Sequence, residues 1–258
     1  MANIDVNKEF ASVGKKALVL AILEIFFLVL LLIFMFGAFF LVFIIIILLI
    51  VIMVFRFLAM GSLKKANNAL NNYRLAQCKG KITSSTILFF IGNIFFMGAL
   101  VALRLVFLQE EVSSGQVVPL IFSIIIGIIL LFISGFQEYQ GWDRLQIFFD
   151  ENRSMFPPSI ANAGNSGTGL LKVGGILNIF IVLIFIGSIL RIIGFFILLS
   201  LKKLEGEPPV TVPIAQPAPA TQPAPAPAAE PTKRFCPNCG SPVTSTEKFC
   251  SACGSEIS

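Results

Sequence analysis

The sequence predicts an all-α, polytopic membrane bundle that continues through a tether into a small cysteine-rich terminal module. Three observations carry this. Of the 258 residues, 56% are apolar and only 13% charged, where a soluble domain of this length is far more polar. The apolar residues gather in long runs separated by short polar stretches, and at Glu205 the composition turns abruptly to proline and alanine. Phenylalanine occurs 27 times against one tryptophan and two tyrosines, ring chemistry suited to a lipid-facing surface more than to a hydrogen-bonded core. Composition also narrows function. Histidine is absent, which removes Ser-His-Asp and Cys-His catalysis, HExxH sites and His-ligated haem or copper. No P-loop or GxGxxG pattern appears, and the chain reads as a non-enzyme. The net charge of +5 comes largely from loops beside apolar segments; it is a topology signal, with no clear sign of nucleic-acid binding.

The first sixteen residues carry Lys8, Lys15 and Lys16 and run into apolar sequence without a small-residue cleavage site, which predicts a retained first span. The apolar run from 17 to 60 is broken only by Glu24, Gly37 and Arg56. As one helix it would measure roughly 66 Å, about twice the ~30 Å hydrocarbon thickness. It must fold back, and Gly37-Ala38 is the expected turn. Residues 86 to 108 and 117 to 136 are two further spans, joined by the polar stretch Gln109 to Gln116. The last apolar segment, 173 to 201, is long for one helix and short for two. The expected architecture is therefore four clear spans plus a final hairpin or a single long helix.

Charge orders these spans. The stretch from Arg56 to Ser85 holds six basic residues and no acidic one, and the 109–116 loop has no basic residue. Both facts place the amino terminus, the 61–85 loop and the 137–172 loop in the cytoplasm, with Tyr73, Tyr139 and Trp142 within reach of that interface. A straight final helix would export Lys202, Lys203 and the terminal cysteines. A hairpin turning near Ile186-Gly187-Ser188 keeps them in a reducing compartment and is the preferred reading. A weak internal repeat agrees: Ser62-Leu63-Lys64-Lys65 follows the first hairpin and Ser200-Leu201-Lys202-Lys203 follows the last.

A carboxylate at Glu24, about 12 Å along the first helix from Lys16, must face a partner, face a wet cavity or be protonated. It is read as structural, and as the one intramembrane residue to test for transport. Arg104, and Arg191 if the hairpin forms, are expected to snorkel to the outer surface. Asn93 and Asn178 are expected as interhelical hydrogen-bonding groups. The stretches 62–78 and 137–156, the latter with Trp142, Leu145, Phe148 and Phe149, read as interfacial helices or as helical extensions touching the membrane surface. Cys78 is the odd cysteine, expected as a free cytosolic thiol.

From Glu205 to Arg234 lie nine of the chain's fourteen prolines, in a segment that cannot bury a core and favours extended polyproline II. Beyond it, Cys236-Pro237-Asn238-Cys239-Gly240 and Cys250-Ser251-Ala252-Cys253-Gly254 are the sharpest chemical signal in the chain. A C-x2-C pair brings two sulfurs to one metal and a second pair completes a tetrahedron, so Cys236, Cys239, Cys250 and Cys253 are read as ligands of one Zn2+. The alternative is two disulfides or free thiols. The glycine after each pair suits a tight knuckle, and Phe235 and Phe249 each immediately precede one. A module this short needs the metal to hold a fold.

Here the chain resembles the short zinc-ribbon domains found at the ends of many prokaryotic proteins. The resemblance implies zinc binding through the four cysteines and contact with protein or nucleic acid in place of catalysis. Gly169 to Leu177 and Ile186 to Leu190 resemble uncharacterised, mostly archaeal, multi-helix membrane families of unknown function, which implies no activity. The organisation is thus a membrane domain at 1–204, a disordered Pro/Ala-rich linker at 205–234 and a zinc ribbon at 235–258. The expected function is that of a multi-pass protein of the cell membrane, in contact with the lipid bilayer, whose cytoplasmic ribbon recruits a protein partner. The alternative is a small transporter or channel with Glu24 in its pathway and the ribbon as a regulatory module. Partner identity and oligomeric state are not legible in the sequence.

Overall fold

The computed structural model describes residues 5–35, 41–107, 114–178 and 183–208, and in the terminal module 234–235, 242–243, 249, 253 and 255. The chain divides into two compact units, Met1–Thr211 and Val212–Ser258.

Among the described residues the first unit has six α-helices: α1 (Val6–Met35), α2 (Val42–Leu70), α3 (Tyr73–Phe107), α4 (Ser114–Glu151), α5 (Pro158–Leu177) and α6 (Ile184–Leu198). A 3-10 segment, Leu199–Gly206, extends α6, and a short 3-10 turn, Arg153–Met155, follows α4. Five helical segments are long and apolar enough to cross a membrane: α1 to α4, and α6 taken together with its 3-10 extension as Ile184–Gly206. Each helix packs on its neighbours in sequence, and α1 also packs on α6 and its 3-10 extension, so the helices close into a ring. Neighbours run antiparallel. Lys16 near the start of α1 donates to the Leu58 carbonyl near the end of α2, Lys172 of α5 pairs with Asp143 of α4, and Gly14 of α1 lies against Leu201 and Lys202. Asn7 Nδ2 donates to the Pro208 carbonyl at 2.7 Å, so the chain enters and leaves the bundle at one end.

The final apolar segment is therefore one arm of a hairpin, with a different partner and a different turn from those expected. The other arm is α5, which begins at Pro158, and the connection falls at 178–183. Gly187 and Ser188, read as turn punctuation, are buried inside α6. They are small because α5 and α6 approach closely there. A Cβ on Gly174 would stand 2.7 Å from the Gly187 carbonyl, and one on Gly167 would stand 3.0 Å from the Gly194 carbonyl. Each helix thus places two glycines seven residues apart, on one face, at matching heights. The same tolerance explains why the Asn-, Gly- and Ser-rich sequence 158–172, expected as loop, is helical. Pro158 occupies the first turn, the Thr168 hydroxyl donates back to the Gly164 carbonyl, and Gly164 lies against the Phe149 ring.

The cytosolic loops of the sequence reading are mostly helix. Residues 62–70 finish α2 and 73–85 begin α3, with only Asn71-Asn72 between them. Asn71 adopts a left-handed conformation (φ 48°) and its N–H bonds the Asn67 carbonyl, which ends α2. The Asn72 side chain accepts from the Arg74 N–H and starts α3. Residues 137–151 continue α4, and Trp142, Leu145, Phe148 and Phe149 are core residues, not interfacial ones. Phe148 and Phe149 join Phe10 and Phe156 in an aromatic cluster with ring centroids 5.4–6.2 Å apart. Some phenylalanines thus build core, while Phe26, Phe43, Phe122 and Phe132 face outward as composition predicts. The expected turns at Gly37-Ala38 and within 109–113 lie outside the described residues.

Both copies of the Ser-Leu-Lys-Lys repeat flank α1 at the end where the chain enters. Ser62 Oγ accepts from Lys16 Nζ and donates to Ser12, while Leu201 packs against Gly14.

In the second unit, β1 (Arg234–Phe235) pairs antiparallel with β2 (Pro242–Val243), Phe235 opposite Pro242.

Candidate functional site

Four charged side chains meet in the middle of the bundle, one each from α1, α2, α4 and α6. Glu24, Arg56, Glu138 and Arg191 are 1–3% exposed, and among the described residues no other charged side chain is buried. Arg56 Nη2 lies 3.2 Å from Glu24 and 3.3 Å from Glu138. Arg191 bonds Glu24 through Nη2 and stands 3.6 Å from Glu138 through Nε. Each carboxylate therefore touches both guanidiniums, and each guanidinium both carboxylates. The result is a closed ring of alternating sign with no net charge.

The two remaining helices complete the enclosure. Phe89 of α3 presents its ring 5.9 Å from the guanidinium carbon of each arginine. The Asn178 amide, capping α5 and oriented with its oxygen toward Arg191, accepts from Nη1 at 2.7 Å and donates to the Ile184 carbonyl at 3.2 Å. Trp142 donates its indole N–H to Glu138 at 3.3 Å. Every helix of the bundle thus contributes to one polar centre in otherwise apolar surroundings. Four charges removed from water are tolerable only when each is compensated. The ring meets that condition with its own members.

Helical spacing places these residues. Glu24 and Arg56 lie in apolar sequence about midway along antiparallel helices of matching length, so they come to the same height. Glu138 lies five residues beyond Ile133 in α4, and Gly175 of α5 lies against its side-chain carbons, where a Cβ would stand 3.2 Å away.

The structure corrects several sequence expectations here. Arg191 does not snorkel outward, because the turn precedes it by two helical turns and Glu24 holds it inside. Arg56, counted among the loop cations, and Glu138, which sequence reasoning passed over, are ring members. Trp142 serves Glu138 and not a membrane interface. Asn178 bridges helices as expected, whereas Asn93 donates within α3 to the Phe89 carbonyl at 2.8 Å. Arg104 is exposed near the end of α3. Cys78 is a free thiol as expected, and it is buried.

The ion pairing is complete, although Arg56 Nε and Arg191 Nε make no hydrogen bond among the described residues. Both carboxylates are engaged by cations, which leaves neither as an evident general acid, general base or ion ligand.

The second candidate is the terminal module. The pairing of Phe235 with Pro242 brackets the first C-x2-C motif between two strands. Cys253, of the second motif, is exposed, with its sulfur 3.0 Å from the Ser255 hydroxyl. Cys236, Cys239 and Cys250 lie outside the described residues. The donor set in the sequence is four thiols at C-x2-C spacing, which suits a closed tetrahedral site.

Comparison with known families agrees on this module: residues 235–257 match the zinc-ribbon domain. A zinc ribbon therefore follows a bundle with five apolar helices of membrane-spanning length. Neither the curated proteins nor the solved structures yield a match to the chain.

Proposed function

We propose that this chain is a non-enzymatic integral membrane protein that anchors a cytoplasmic zinc ribbon on a Pro/Ala-rich tether, where the ribbon binds a protein partner or assembles a complex. Cys236, Cys239, Cys250 and Cys253 hold one Zn2+ in this reading. The metal supplies folding energy to the module, and the thiolates are all ligands, so no open position is left for substrate. The observation that carries the anchoring role is the self-neutralising ring. A transport pathway needs an ionisable group that can change partners, and Glu24 is held by two arginines. The hydrogen bond between Asn7 and Pro208 supports a common side for both ends of the bundle, and the basic residues near that end favour the cytoplasm.

Affinity purification of the full-length protein from its own membranes, beside a Cys250→Ser variant, tests the reading. The expected result is a defined partner set that the variant loses while remaining in the membrane. Flux of a solute into proteoliposomes that disappears in Glu24→Gln would favour the transporter alternative instead.

A further inference from the structure

At the end of the bundle where the chain enters, a polar groove of about 600 Å3 runs along the surface between α3 and α4, which pack closely beneath it with Gly141 against Ile82. Gln77, Lys81 and Ser84 line it from α3, and Gln137, Gln140 and Arg144 from α4. These positions form one stripe on each helix, at spacings of three, four or seven residues. Gly80 borders open space in the groove, where a Cβ would meet nothing within 4 Å. Asp143 also borders the groove, but its carboxylate is paired with Lys172 at 3.1 Å. Among the described residues Lys81 and Arg144 take part in no ion pair. The groove thus carries two uncompensated cations with amide and hydroxyl groups around them.

The same two stripes continue along the bundle as exposed isoleucines. Ile87 and Ile91 follow Ser84 on α3, and Ile133 and Ile129 precede Gln137 on α4. By helical spacing these isoleucines lie along the two helices from the cationic groove toward the middle of the bundle.

We propose that the α3–α4 seam binds an anionic glycerophospholipid, with its headgroup phosphate between Lys81 and Arg144 and an acyl chain along the isoleucines. The cations match the phosphate, the Gln77 and Gln140 amides suit the headgroup and glycerol oxygens, and the exposed isoleucines suit an acyl chain, while Ser84 and Gln137 hydrogen-bond each other across the groove floor. This rests on the membrane placement proposed above. It adds a specific leaflet, the one at the end of the bundle where Asn7 meets Pro208.

Native mass spectrometry of the full-length protein with added dioleoylphosphatidylglycerol, dioleoylphosphatidylcholine or inorganic phosphate tests it. Phosphatidylglycerol should be retained in preference to phosphatidylcholine. Lys81→Gln with Arg144→Gln should weaken that retention about tenfold or more, given the contribution of each cation to anionic-lipid binding. Lys64→Gln with Lys65→Gln, which removes the same charge from the end of α2, should retain it. Equal retention of the two lipids, unchanged binding in the Lys81/Arg144 variant, or displacement of the lipid by inorganic phosphate at matched concentration would overturn the inference. Alkaline carbonate washing of membranes keeps the two proposals apart. Release of the chain counts against membrane placement, whereas retention without lipid preference counts against this site alone.

Discussion

Replacing Cys250 by serine in the full-length protein should abolish stoichiometric zinc binding and unfold the terminal module while leaving the helical bundle intact. The size of the effect follows from the size of the module. The two described strands, Arg234–Phe235 and Pro242–Val243, offer two residue pairs of sheet and no core of their own. Structural zinc supplies on the order of 10 kcal/mol to such modules, more than the whole stability of many domains. Removing one thiolate therefore removes the fold, not a fraction of it. Metal analysis of purified protein should give one zinc per chain in the wild type and far less in the variant. Excess chelator should make the region beyond residue 233 protease-sensitive in the wild type as well. A module that stays folded and protected in chelator would show that zinc is not what holds it.

Within the bundle, Glu24→Gln should be the costly single change. It keeps the side-chain shape but leaves Arg56 and Arg191 sharing one carboxylate, Glu138, in an apolar centre. Loss of one member of a buried charge set costs about 3–5 kcal/mol, enough to lower the unfolding temperature clearly. Arg191→Gln should cost a similar amount for the opposite reason, since Glu24 and Glu138 would then share Arg56. The double variant restores neutrality and should recover much of the loss. Thermal unfolding in detergent, read as a double-mutant cycle, measures this directly. Losses that simply add would mean that the residues do not act as a closed ring.

What the sequence disclosed and what it hid divide along physical lines. Apolar length made the long helices legible, because it is a property of residues one at a time; it showed that the last apolar segment turns back, but not where or against what. The position of α5 was hidden, because its asparagines, serines and glycines are poor helix formers individually and are helical through tertiary packing against α4 and α6. The glycines of α6 misled for the same reason: small residues mark a turn or a close crossing, and local sequence does not say which. Glu24 stood out by its isolation, whereas Arg56 and Glu138 sit at margins of apolar runs and read as the first polar residues of loops. A signal was present. Two acids and two bases fall in or beside the apolar segments of α1, α2, α4 and α6, one per helix, and their charges cancel. The zinc-ribbon module was legible without its fold, since the two C-x2-C motifs in the sequence point to it directly.

In the proposed reading the two ends of the membrane bundle, and with them the tethered ribbon, face the cytoplasm. A cysteine-labelling scan in intact cells, on a variant with the native cysteines replaced, tests this most directly. Position 220, in the tether, should react with a membrane-impermeant reagent only after permeabilisation, and position 113, between α3 and α4, should react without it. Reaction at 220 in intact cells, with or without reaction at 113, would place the ribbon outside and contradict the account.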